Sequence, residues 1–164
     1  MPRQRKPKSD TPRNAFSSGI GLLARREHSS RELKTKLARR GHQKTEIDEA
    51  VDRLSGAHYQ SDERFGVSIA RTRISQGYGP RRIRAELKSH GVTEPAIRAA
   101  LDAANADWTL VASTILRRRF GAKGPADIAE RGRRAQFLLR RGFDPATVRA
   151  VTRAVVDDPG EEFD

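Results

Sequence analysis

One apolar pattern appears three times at intervals of about fifty residues, and this internal repeat limits the possible folds more than any other feature of the chain. Ile47, Ala50, Val51 and Leu54 stand at i, i+3, i+4 and i+7, the spacing of a single buried stripe on a helix. Ile97, Ala100, Leu101 and Ala104 repeat it, and Val148, Val151, Thr152 and Val155 repeat it again. A glycine precedes each stripe by six positions: Gly41, Gly91 and Gly142. Glycine tolerates the left-handed conformation that follows a helix, so each one predicts the end of a preceding helix. Those preceding helices carry Leu33 and Leu37, then Ile83 and Leu87, then Ala135, Leu138 and Leu139. The third copy departs from the pattern because Arg134 stands where Leu33 and Ile83 stand, so its helix is expected to be rotated or packed differently.

Start signals divide the chain in the same way. Ser29 with Glu32 reads as a capping box, Pro80 suits a first helical turn, and Asp144 with Pro145 reads as a cap and first position. Upstream of each helix pair lies a further apolar segment. The first begins at Ala15, the second carries Phe65, Ile69, Ala70 and Ile74, and the third carries Trp108, Val111, Ala112 and Ile115. The expected fold is all-α, an elongated row of three tandem three-helix, helix-turn-helix-like repeats over 15–61, 62–106 and 107–156. A basic mobile tail, 1–14, and an acidic mobile tail, 157–164, are expected to flank it.

Charge matters once it is assigned to these parts. Residues 1–14 carry net +4, 157–164 carry five acids and no base, and the body between 15 and 156 carries net +13. Such a field attracts polyanions and makes any nucleic-acid contact salt-dependent. The chain has no cysteine, which excludes disulfides, thiolate metal sites and cysteine nucleophiles. No apolar run approaches a membrane span and no secretory core follows the N-terminus, so a cytoplasmic protein without membrane contact is expected.

No catalytic constellation emerges. His28, His42, His58 and His90 lack metal-ligand spacing, and His58 with Tyr59 is expected to pack or bond at a module junction. Gly77, Gly79 and Pro80 follow no strand and precede no GKS or GKT, so they read as a helix connector and not a phosphate loop. Trp108, Tyr59 and Tyr78 are too scattered for a base-stacking platform, and Trp108 is expected in the core. No enzyme activity, metal or cofactor is expected.

Basic residues concentrate in two places. Arg71 and Arg73 flank the buried face of the fourth helix, while Arg81, Arg82 and Arg84 crowd the start of the fifth, where cations oppose the helix dipole. The third repeat, net +7, holds Arg117, Arg118, Arg119, Lys123, Arg131, Arg133, Arg134, Arg140 and Arg141. A helix-turn-helix transcription regulator is the alternative reading, but the last helix offers only Arg149 and Arg153 as base readers. A nuclease would need metal-dependent cleavage.

Three segments resemble the RecX family. LARREHSSRELKTKLARRG at 23–41 is similar to its opening signature, DERFGVSIARTRISQGYGPRRIRAELKSHGV at 62–92 to its central one, and QFLLRRGF at 136–143 to its closing motif. Gly66 departs from the alanine usual there and is expected to loosen the fourth helix. The resemblance implies three tandem three-helix repeats and a regulator that binds within the groove of the RecA nucleoprotein filament on single-stranded DNA. It also implies restraint of RecA ATPase, filament extension and strand exchange, and so of recombination and the SOS response. Arg71, Arg73, Arg81, Arg82 and Arg84 are then the candidates for filament contact. Arg117, Arg118, Arg119, Arg133, Arg134, Arg140 and Arg141 are the candidates for DNA phosphates. A monomer with weak, non-specific affinity for single- and double-stranded DNA is expected.

Overall fold

The repeat becomes nine helices among the described residues, with no strand between them. The computed structural model describes residues 13–153, so Val155 and the tails beyond this range lie outside it. Asn14, assigned to the basic tail from the sequence, is instead the N-cap of the first helix, its side chain accepting from the Ser17 amide. The helices are α1 (Ala15–Leu23), α2 (Ser30–Arg39), α3 (Lys44–Gly56), α4 (Asp62–Ser75), α5 (Pro80–Ser89), α6 (Glu94–Ala104), α7 (Trp108–Phe120), α8 (Ile128–Arg140) and α9 (Pro145–Thr152).

The expected glycines end their helices. Gly41, Gly91 and Gly142 have φ of +89°, +76° and +86°, and Gly77 ends α4 in the same way at +79°. In each turn the residue after the glycine donates back into the last helical turn: His42 to Leu37, Val92 to Leu87, Phe143 to Leu138 and Tyr78 to Arg73. These are the 6→1 bonds of a glycine-terminated helix, and they satisfy carbonyls that the helix leaves unpaired.

The residues up to Gln60 form one compact unit and those from Ser61 form another. In the first unit, α1, α2 and α3 enclose Leu22, Leu33, Leu37, Ile47, Val51 and Leu54. Ala15 at the start of α1 donates to Glu46 Oε1 at 2.9 Å, which places the first turns of α1 and α3 side by side. Arg53 lies over the Phe16 ring at 4.4 Å. His58 and Tyr59 are exposed, with His58 taking the left-handed position after α3 at φ +61°.

The second unit contains two cores. One gathers Phe65, Ala70, Ile83, Leu87, Val92 and Ile97 from α4 to α6, and the other gathers Ala112, Leu116, Leu138, Leu139, Phe143 and Val148 from α7 to α9. Trp108 is half-buried and packs against both, so it joins them as well as filling a core. Gly66 does not interrupt α4. A Cβ there would meet Ala100 Cβ at 3.2 Å, so the glycine lets α6 approach α4 closely.

Arg134 keeps the buried position that Leu33 and Ile83 hold in the other copies, at 8% exposure. The structural departure in the third copy lies elsewhere, in a longer α8 and the loop ahead of it. Arg134 Nη2 bonds Glu130 at 2.7 Å, Nη1 bonds the Lys123 carbonyl at 3.0 Å, and the guanidinium lies 5.1 Å from the Phe120 ring centre. An arginine thus replaces an aliphatic side chain by pinning that loop down. Charge-assisted bonds at its two terminal nitrogens offset the cost of burial, while the buried Nε has no hydrogen-bond partner among the described residues.

Candidate functional site

The fifth helix begins where the sequence placed its most conspicuous arginines, and its first turn is built against the end of α8. Gly79, the N-cap of α5, offers no side-chain cap. Its amide donates to the Arg141 carbonyl at 2.8 Å, and the Arg81 amide donates to the Gly142 carbonyl at 3.0 Å. The carbonyl end of one helix therefore caps the amide end of another, with their dipoles favourably opposed. The approach leaves no room for side chains at either glycine. A Cβ on Gly79 would fall 2.4 Å from the Gly142 carbonyl, and one on Gly142 would fall 2.4 Å from the Arg82 amide nitrogen.

Arginines brace this joint. Arg81 Nε bonds Asp144 Oδ1 at 2.9 Å. Asp144 is the N-cap of α9 as expected, but it makes no cap bond to its own helix. Arg141 Nη1 bonds the Gln76 carbonyl at 2.9 Å and its guanidinium lies over Tyr78 at 4.7 Å. Arg73 grips Glu86 through Nε and Nη2, both at 2.7 Å, and reaches Gln76 Oε1 at 3.0 Å. The bonds from Arg73 hold the Glu86 carboxyl below the ordinary carboxylate range, against the opposing effect of burial. Arg84 pairs with Glu94.

The candidates therefore fall into two groups. Arg73, Arg81, Arg84, Arg134 and Arg141 hold neighbouring elements together. Arg71 and Arg82 are exposed on α4 and α5, as are Arg117, Arg118, Arg119, Arg133 and Arg140 on α7 and α8. An open cleft of about 540 Å³ lies beside the joint, lined by Arg73, Gln76, Tyr78, Arg82, Glu86 and Ser89. Sequence reasoning missed Glu86, Gln76 and Asp144 as partners of these arginines. The dipole argument for Arg81 also has a structural answer, because Asp144 and the α8 carbonyls offset the positive end of α5.

Among the described residues no three acidic or histidine side chains gather as a metal would require, and no helix is long and apolar enough to cross a membrane. His28 is buried and ordered by two bonds, from its Nδ1 to the Arg26 carbonyl and from Lys36 Nζ to its Nε2, both 2.9 Å. Burial shifts its pKa below 6.5.

Residues 15–54, 61–101 and 111–152 match, in order, the first, second and third three-helix domains of RecX. The chain belongs to the RecX family. It is 46% identical over 156 residues to the regulatory protein RecX of Xanthomonas campestris pv. campestris (strain B100), covering 95% of this chain and 94% of that one. Against the regulatory protein RecX of Stenotrophomonas maltophilia (strain R551-3), identity is 44% over the same shares. The crystal structure of RecX from Lactobacillus salivarius agrees with a TM-score of 0.71 at 19% identity, covering 85% of this chain and 92% of that one. At that identity the likeness shows the fold alone. In RecX terms, the glycine joint connects the second and third domains.

Proposed function

We propose that this chain regulates the RecA recombinase by binding its filament on single-stranded DNA, restraining ATP turnover, filament extension and strand exchange and so damping recombination and the SOS response. The observation that carries this reading is the end-to-end likeness to regulatory RecX proteins, which spans all three domains. The exposed arginines support it, because a surface facing a nucleoprotein filament needs solvent-accessible cations. Arg71 and Arg82 are the proposed filament contacts, with Arg73 presented at the cleft wall. Arg117, Arg118, Arg119, Arg133 and Arg140 are the proposed phosphate contacts. The protein acts as a cytoplasmic monomer without chemistry of its own, and its affinity for bare DNA is weak and indifferent to sequence.

RecA ATPase on single-stranded DNA, titrated with the folded protein, tests the reading. Inhibition below one molecule per RecA subunit is expected. No effect at equimolar protein would overturn it, and a salt-resistant footprint on one duplex operator would favour a transcription regulator instead.

A further inference from the structure

The second unit carries an open apolar groove at the edge of its two cores, where Ile74 of one meets Val111 and Ile115 of the other. Ile74, Ser75 and Gly77 at the end of α4 face Leu110, Val111, Thr114 and Ile115 on α7 across about 240 Å³, with Arg118 on its wall. Leu110 on its rim is 63% exposed. Arg117 and Arg118 lie seven residues beyond Leu110 and Val111, and seven residues are close to two helical turns, so the groove runs directly into exposed cations. A matching ligand would combine an apolar anchor with flanking carboxylates.

The chain contains such a segment. Residues 157–164, DDPGEEFD, carry five acids and no base, and Phe163 stands between Glu162 and Asp164. The segment follows α9, which packs on α7 within the same core. From Arg153 to Phe163 an extended chain can reach about 33 Å, whereas α7 itself is about 20 Å long. We propose that residues 157–164 dock on their own third domain, seating Phe163 in the α4–α7 groove and setting carboxylates beside Arg117 and Arg118, where they compete with external polyanions. Tethering supplies a millimolar effective concentration, so even a contact that is weak between separate molecules is populated within one chain. The competing half of the proposal rests on the phosphate-binding role given to α7 under the proposed function. The docking half does not.

The absence of cysteine permits a single nitroxide label at Gly160→Cys in the full chain. Paramagnetic broadening of amide resonances concentrated at 110–118 is expected, and it should vanish in Phe163→Ala and in Leu110→Glu. Leu110 is exposed enough for that change to leave the fold intact. Affinity for fluorescent dT20 at about 50 mM salt should rise roughly tenfold in Phe163→Ala, which keeps the net charge, and the gap should close as salt weakens docking and DNA binding alike. Broadening that is absent, or spread evenly over basic surfaces and unaffected by Phe163→Ala, overturns the docking. Local broadening with unchanged dT20 affinity supports the docking and overturns both the competition and the phosphate role of α7.

Discussion

The starts of α2 and α5 occupy equivalent places in the repeat and are stabilised by opposite means. Ser29 caps α2 with its own side chain, accepting from the Glu32 amide at 3.0 Å. The Glu32 carboxylate is held by Arg26 and Lys36, both within seven residues of it. At α5 the cap residue is Gly79, and the missing acceptor comes from Arg141 and Gly142, more than sixty residues away. The first arrangement is local and electrostatic, and the second is distant and steric. A repeated sequence pattern can thus preserve a helix start while changing what stabilises it.

The largest test of this contrast is alanine at the equivalent glycines. Gly142→Ala combines a positive φ with a backbone clash, so a loss of about 3 kcal/mol is expected. Gly41→Ala meets nothing nearby and has only the conformational term, about 1 kcal/mol. Trp108 is the chain's single tryptophan and lies between the two cores of the second unit, so its fluorescence during urea unfolding should report the first change and miss the second. Equal shifts of that transition would break the contrast.

The first acid step should belong to the first unit, which holds His28. Burial lowers the His28 pKa from 6.5, and the hydrogen bonds from Arg26 and Lys36 outweigh burial to lower that of Glu32 from 4.5 to about 2. Both groups take up protons more readily unfolded than folded, so both contribute stability above their unfolded values and lose it as pH falls. Helix unfolding followed by circular dichroism should weaken first below pH 6.5, through His28, and again between 4.5 and about 2, through Glu32. His28→Gln should remove the first step. A step below pH 6.5 in Trp108 fluorescence would show that this acid response is not confined to the first unit, whereas a carboxylate step there is expected from Glu86.

The smallest stability effect is expected at the exposed arginines. Replacing Arg117, Arg118 and Arg119 by glutamine should change stability by less than about 0.5 kcal/mol per site while flattening the salt dependence of DNA binding. Arg71 and Arg82 make a similarly clean pair for RecA inhibition. Adding Arg73 and Arg81 to that variant would confound it, because their pairs with Glu86 and Asp144 hold helices together. A melting temperature that falls as far for Arg71 with Arg82 as for Arg73 with Arg81 would remove the distinction between surface and bracing cations.

Helices, their order and most of their ends were legible because they depend on residues close in sequence. A stripe such as Ile47, Ala50, Val51 and Leu54 carries its own period, and Gly41, Gly91 and Gly142 mark left-handed turns whatever surrounds them. The buried place of Arg134 was misjudged because hydrophobicity alone excludes an arginine from a core, whereas the Lys123 carbonyl, Glu130 and the Phe120 ring admit it. Roles of individual arginines were not legible at all. Arg81 meets Asp144 across 63 residues and Arg141 meets the Gln76 carbonyl across 65. By itself the sequence determined a basic, three-fold helical RecX chain, since periodicity, caps and charge are local or additive properties. Only the tertiary structure decided which cations brace the fold and which remain exposed, because a guanidinium's partner is set by distances through space that no spacing along the chain records.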